Sequence, residues 1–334
     1  IAVLQLVERG KVDLHTDVNN YLPEDIQFAS SFRKPITLFN LLTHTAGLDD
    51  RYISKVSRTP YEPDYLKNYI KEHKPERVYP PGLLYSYSNY GIALAGYIVE
   101  RQSGRPFAEY LKLQVLTPLG RTMSGITPDT SSLRNRAVGY HGYANHHKEL
   151  AYDYILDSPA GQVNATGADM MRYMKALLNA GANKHGRVLD SASVAYMQHT
   201  RFTHRPKLEG SVGLTFHIRH QHGKRILSHA GGYMGTRTQM TLIPETDTGW
   251  FIAINQMDFR LVNRIQDILN ERFVNSQIDG AEMRTPGSAE ANFIDVPIDH
   301  YTGTYRDTRY PRNTIDKVAV LSGAVGGEMS LTSR

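Results

Sequence analysis

Apolar residues recur at helical spacing from the start of the chain. Ile1, Val3, Leu4, Leu6 and Val7 form one stripe, and the run closes at Gly10, where a glycine accommodates the left-handed backbone that ends a helix. The chain is therefore expected to open in mid-helix. Residues 35–48, PITLFNLLTHTAGL, predict a short apolar helix ending at Gly47. Residues 61–74 and 89–103 predict two more, the second dense in small residues (Gly91, Ala93, Ala95, Gly96) that allow close packing. Thr166 followed by Asp169 reads as a capping-box variant opening a helix through Leu178, with Met170, Met174, Leu177 and Leu178 as its buried stripe.

After about residue 210 the pattern shortens to the β-rich runs GLTFHIRH, RILSHAGG, TRTQMTLIPE and GWFIAINQ. Turn signals such as His222-Gly223-Lys224 and Pro244-Glu245-Thr246 separate them, which implies an antiparallel sheet. An amphipathic run from Leu261 to Val274 predicts a helix packed on that sheet. Residues 276–297, rich in Ser, Gly, Ala and Pro, read as a linker, and YTGTYRD and VAVLSGAVGGEMSLTS beyond it as strands of a β-domain that stops before it closes. The expected fold class is α/β (α+β): an antiparallel sheet flanked by helices, with an all-helical subdomain.

With 334 residues, 40% of them hydrophobic, the chain has enough apolar surface for a large core. The net charge of +5 comes from interspersed residues without a basic block, which argues against nucleic-acid binding. The absence of cysteine excludes disulfides, a thiolate nucleophile and a cysteine-ligated zinc. No apolar stretch reaches the roughly 20 residues that span a bilayer. Ile1 stands where a natural start would have Met, so any signal peptide is expected upstream.

Two constellations can carry chemistry. In Tyr87-Ser88-Asn89, before the helix that Tyr90-Gly91 leads into, a phenol that handles protons and an amide that holds a carbonyl can point into one cleft. In an arbitrary sequence, Tyr87 would more often be core and Asn89 a helix cap. In His229-Ala230-Gly231-Gly232, a strand narrowing to glycine lets a ligand backbone lie against it, and a backbone N–H there can face a developing oxyanion. A bulged hairpin would give the same letters.

Taken together and with their flanks, these stretches resemble the serine β-lactamase-like, penicillin-binding-protein-like superfamily, in its class C β-lactamase, D,D-peptidase and carboxylesterase branch. The resemblance is carried by AVLQLVERGKVDLHTDVNNYLP, ITLFNLLTHTAGL, YPPGLLYSYSNYGIALAGYIVERQSGRPFAEYL, VLTPLG, SPAGQVNATGADMMRYMKALL and SHAGGYMG followed by LIPE, in the family's order from residue 1 to about 256. It implies a catalytic domain over residues 1–275, with a helical subdomain inserted at about 35–200, a linker at 276–297 and a partial β-domain at 298–334.

The resemblance also implies a Ser-x-x-Lys motif on the helix that leads into AVLQLVERG, its lysine about five residues before Ile1 and its serine about three further upstream. Neither Ser54 nor Ser191 substitutes for it, and the chain as written is expected to be inactive. The parent protein is expected to be a serine hydrolase that forms an acyl-enzyme with an ester or a D-amino-acid peptide, with weak β-lactamase activity conceivable and neither metal nor organic cofactor. Carried over by resemblance, Tyr87 assists proton transfer, Asn89 binds the substrate carbonyl or the lysine, and the N–H of Gly232 is half of the oxyanion hole. Gly231, Gly161 and Gln162 are expected to line the substrate cleft. His229 stands where β-lactamases usually carry the lysine of Lys-Thr-Gly; an imidazole with a pKa near 6.5 is mostly neutral at about pH 7, which favours an ester or D-peptide over a β-lactam.

His44 is expected to support the cleft from beneath. His217, His220 and His222 cluster at a hairpin, with His220 and His222 on one face, but no carboxylate is near in sequence and no metal site is expected. His146 and His147 fall in a loop, and Met170 and Met171 read as helix packing. The expected partner is a small ester or peptide; oligomeric state is unreadable, and the resemblance implies a bacterial periplasmic or secreted protein. The rival reading is a non-catalytic module on the same fold that binds peptide or cell-wall fragments or assembles into larger structures. An α/β-hydrolase is disfavoured because no Gly-x-Ser-x-Gly elbow occurs.

Overall fold

The computed structural model describes residues 1–49, 55–126, 135–142, 147–204, 210–233, 235–275, 303–306 and 328–331. Helices α1 (Ala2–Glu8), α2 (Leu38–Leu42), α3 (Tyr65–Glu72), α4 (Asn89–Ser103), α5 (Phe107–Leu111), α6 (Gly167–Leu178) and α7 (Ser191–Gln198) precede or interleave with the sheet, and α8 (Phe259–Phe273) follows it. Strands β1 (Val56–Ser57), β2 (Tyr140–His141), β3 (Lys148–Glu149), β4 (Tyr154–Ile155), β5 (Ala182–Asn183) and β6 (Gly186–Arg187) form three small antiparallel pairs, β1 with β4, β2 with β3 and β5 with β6. Strands β7 (Ser211–Val212), β8 (His217–Gln221), β9 (Lys224–Tyr233), β10 (Thr236–Ile243) and β11 (Thr248–Ile254) make one antiparallel sheet in the order β11-β10-β9-β8-β7.

Alternation along β9 and β10 sends side chains into two cores. Leu227, Met240 and Leu242 join the large cluster that includes α1, α4 and Met174 and Leu177 of α6. Ile226 and Ile243 join Trp250, Ile252, Val262 and Val274 under α8. The sheet is thus packed on both faces, against the helical cluster on one and α8 on the other. Lys224, 1% exposed, donates from Nζ to the carbonyls of Phe273 at 3.1 Å and Val274 at 2.9 Å. This satisfies carbonyls that the end of α8 leaves open and ties the helix to the first residue of β9.

Local rules account for most helix ends. Thr166 accepts a hydrogen bond from Asp169 N and opens α6, and Ser88 accepts one from Gly91 N and opens α4. Met174 and Leu177 are buried as expected, whereas Met170 and Leu178 are half-buried and Met171 is exposed. The helix expected over 35–48 is much shorter. Thr37 and Asn40 form a capping box at its start, but α2 ends at Leu42 because Thr43 Oγ1 bonds back to Phe39 O and His44 turns to a φ of 55°. The helix expected over 61–74 contracts to α3, for which Asp64 at its start has a left-handed φ of 58°.

The His222-Gly223 pair makes the turn between β8 and β9, with positive φ at both residues, so His222 leaves the strand face it was expected to share with His220. The expected linker lies outside the described residues. Of the terminal segment, β12 (Gly303–Arg306) and β13 (Glu328–Leu331) are described and pair antiparallel.

Candidate active site

The segment carrying Tyr87 is held in place by His44. Ser86 N donates to His44 O at 2.7 Å and Ser88 N donates to His44 Nδ1 at 3.1 Å, while the imidazole stacks on Tyr87 with ring centroids 4.1 Å apart. His44 is 2% exposed, so this is an interior clamp beneath the cleft. Its positive φ lets the chain leave α2 and present both backbone carbonyl and ring to the neighbouring segment. Since Ser88 caps α4, the Asn89 side chain is not used as the cap and lines the cleft with Tyr87.

The opposite wall is the second half of β9. Strand β8 pairs with β9 only as far as His217 opposite Ser228, whereas β10 continues to Thr236 opposite Tyr233. Among the described residues no strand pairs with the other edge of residues 229–233, and this open edge faces the cleft. An unpaired strand edge offers N–H and C=O groups to an extended ligand. At Gly231 a Cβ would run into Thr238 Oγ1 on the paired strand, so a larger residue requires that threonine to shift. At Gly232 a Cβ would sit 2.9 Å from Arg237 Nη1.

Between these walls lies a cleft of about 810 Å³ lined by Tyr87, Asn89, Gly161, His229, Gly231 and Gly232, with Ile1, Ala2 of α1, Val115 and Leu116 on its apolar side. The structure thus brings six of the seven sequence-derived site residues to one cavity. Gln162 is not among its lining residues. It is 5% exposed and uses its amide to hold residues 152–155, donating to the Tyr152 hydroxyl and Asp153 O and accepting from Ile155 N. Gly161 has an extended backbone at φ −161° and a Cβ there would meet only Ile155 Cδ1, at 3.7 Å, so neither conformation nor space demands glycine.

Burial sets the charge states of the walls. It pushes the His229 imidazole below its usual pKa, neighbouring His217 lowers it further, and the His217 ring is itself lowered by burial. Ring centroids of His217 and His229 are 6.0 Å apart, and those of Tyr87 and His229 6.3 Å. The His229 imidazole is therefore neutral at pH 7. Tyr233 and Tyr173, which also line the cleft, are held protonated by burial, with Asp153 adding to the effect at Tyr233 by accepting its hydroxyl at 2.7 Å.

Sequence reasoning missed four charged groups on the cleft: Lys55 and Asp157, 3.9 Å apart, Arg121 and Arg237. Alternation along β10 puts Arg237 on the α8 face with Ile243, opposite Met240, so no local signal placed it at the cleft. Among the described residues no three His, Cys, Asp or Glu side chains gather to hold a metal, and no helix is long and apolar enough to cross a membrane. His217 sits beside His229 and Tyr85, away from the turn residue His222; His147 is exposed, and His146 and Ser54 lie outside the described residues.

No serine lines the cleft among the described residues. Ser191 is the exposed first residue of α7. Ser31-Phe32-Arg33-Lys34 has the Ser-x-x-Lys spacing, but Ser31 and Lys34 are exposed on the loop before α2 and do not line the cleft, and Lys34 O accepts from Arg77 Nη2.

A relative, D-alanyl-D-alanine-carboxypeptidase/endopeptidase AmpH of Escherichia coli K12, is 25% identical over 280 residues, covering 80% of this chain and 71% of its own length. Penicillin-binding protein 4 of Amycolatopsis lactamdurans is 30% identical over 202 residues, 59% of this chain and 52% of that protein, so the chain spans about half of it. The solved D-amino acid amidase of Ochrobactrum anthropi SV3 superposes with a TM-score of 0.66 at 21% identity, over 83% of this chain and 81% of that one, which shows a common fold. The Beta-lactamase family model matches residues 1–270, and with the cleft geometry above it places the chain in the beta-lactamase family of serine hydrolases and penicillin-binding proteins.

Proposed function

We propose that the cleft performs acyl transfer from an ester or a D-amino-acid peptide to a serine, followed by hydrolysis of the acyl-enzyme. The observation that carries this reading is the convergence of Tyr87, Asn89 and the open edge of His229–Gly232 on one cavity. In this mechanism the serine oxygen attacks the carbonyl, Tyr87 takes part in moving the serine proton to the leaving group, and Asn89 orients the substrate carbonyl or the partner lysine. The N–H of Gly232 donates to the developing oxyanion. The proposal places the serine and its lysine upstream of Ile1, as the family resemblance implies. The neutral His229 favours esters and D-peptides over β-lactams, whose carboxylate a lysine would bind.

A second reading is a binding or assembly module on the same fold. One experiment separates the two. The chain and a form extended upstream by a few dozen residues are assayed with p-nitrophenyl acetate, nitrocefin and a D-Ala-D-Ala peptide, with mass spectrometry for a serine adduct. Turnover and adduct in the extended form support the hydrolase; a folded extended form with neither supports the binding module. In the active form, Tyr87→Phe should lower acylation by on the order of a hundredfold with the fold intact, and near-normal turnover would remove Tyr87 from the proton path.

A further inference from the structure

We propose that Arg237 recognises a carboxylate on the acyl part of the ligand, making the cleft selective for acyl groups that carry negative charge. The naming of that end as acyl rests on the acyl-transfer reading; the binding itself does not. Pairing of β9 with β10 sets Arg237 directly opposite Gly232. A Cβ on Gly232 would lie 2.9 Å from Arg237 Nη1 and 3.6 Å from its Cδ, so the side chain lies across the glycine instead of extending into solvent. From α8, the Phe259 ring covers the guanidinium at 4.3 Å. The cation is thus held between a bare glycine and an aromatic ring, next to the amide that faces the oxyanion.

Of the other basic residues that line the cleft, Lys55 pairs with Asp157, and Arg121, 5% exposed, lies over the Tyr173 ring and donates to Ser124 Oγ and Met170 Sδ. Arg237 lines the cleft with no carboxylate paired to it among the described residues, and its Nε is buried without a hydrogen-bond acceptor. A guanidinium stays charged in such a place and presents a planar fork matched to a carboxylate.

Direction along the strand decides which part of the ligand meets Arg237. Every pair in this sheet is antiparallel, and a peptide joining the open edge in the same sense runs opposite to β9. Its N-terminal, acyl part then lies toward Tyr233 and Arg237, and its leaving group toward His229. The neutral imidazole at the leaving-group end and the permanent cation at the acyl end make the acyl end the charge-selective one.

The test is binding to the full chain by calorimetry, which needs no nucleophile, so failed hydrolysis and failed recognition stay distinct. The ligands are N-succinyl-D-alaninamide, with an acyl carboxylate, N-acetyl-D-alaninamide, uncharged, and N-acetyl-D-alanine, with a terminal carboxylate. The succinyl ligand should bind about tenfold tighter than the neutral one, as a charge-assisted hydrogen bond allows. Arg237→Gln should reduce that ratio to within about twofold, and Arg237→Lys should restore part of it. Should the glutamine variant misfold, the ¹⁵N resonances of the Arg237 guanidinium in the unmodified chain must shift with the succinyl ligand and stay put with the neutral one. Equal affinities, a preference that survives Arg237→Gln, or a preference for N-acetyl-D-alanine that depends on Arg237 would each overturn the proposal.

Discussion

In the first half of β9, residues Lys224 to Ser228 pair with β8, Leu227 and Ser228 pair with β10 as well, and Ile226 and Leu227 are fully buried on opposite faces. In its second half, residues His229 to Tyr233 keep, among the described residues, only β10 and carry two consecutive glycines. The two halves share one strand and one register, yet the first holds the molecule together and the second forms a wall of the cleft. The difference comes from where β8 departs: a strand edge can serve a ligand only where a neighbouring strand has ceased to occupy it.

Breaking the closed half should cost the most. Leu227→Ala, at a position with 0% exposure in the main core, should destabilise the chain by about 2–5 kcal/mol in urea unfolding, because surrounding residues cannot collapse into the space. A cost under about 1 kcal/mol would mean the sheet is not packed on both faces as described.

In the open half the expected effect is smaller and local. Gly231→Ala forces a Cβ against Thr238 Oγ1 and should cost about 1–3 kcal/mol. Across the cleft, Gly161→Ala has ordinary room and should stay within about 0.5 kcal/mol. Equal costs at the two glycines would refute the claim that the paired strand, and not the cleft itself, resists a larger residue at Gly231.

The smallest effect sharpens the electrostatic side of the comparison. The His229 titration midpoint, followed by NMR, should lie below 6.5, and His217→Asn should raise it without reaching that value, since burial is the larger cause and remains. Both imidazoles have folded pKa values below their unfolded ones, so the unfolded chain binds more protons in that window. Their contribution to stability is complete above pH 6.5 and is lost as pH falls through the depressed midpoints. A His229 midpoint that does not move in His217→Asn would show that the rings do not interact.

Much of this is legible in the sequence. Helical periodicity placed α4, periodicity and the Thr166 cap placed α6, and the His222-Gly223 turn placed a hairpin, because these signals act within a few residues; that Ser88 and not Asn89 caps α4 came from the structure. Where local rules were overridden, a distant partner was the cause. The helix expected to reach Gly47 stops at Leu42, and the residue after Thr43, His44, clamps a segment more than forty positions away. Gln162 looked like a cleft residue from its neighbours, but residues 152–155 consume its amide from behind the wall.

The sequence by itself determined the element types, the antiparallel hairpins and the identity of Tyr87, Asn89 and the His229–Gly232 run as candidates, since periodicity, capping and glycine content are properties of short stretches. Only the tertiary structure decided that β8 leaves β9 at Ser228, that His44 holds Tyr87 against the cleft, and that Arg237 lies across Gly232 facing no acid among the described residues. Those facts depend on which strands pair, in what register and for how long, and pairing is set by burial on both faces of the sheet, a property that no single segment contains.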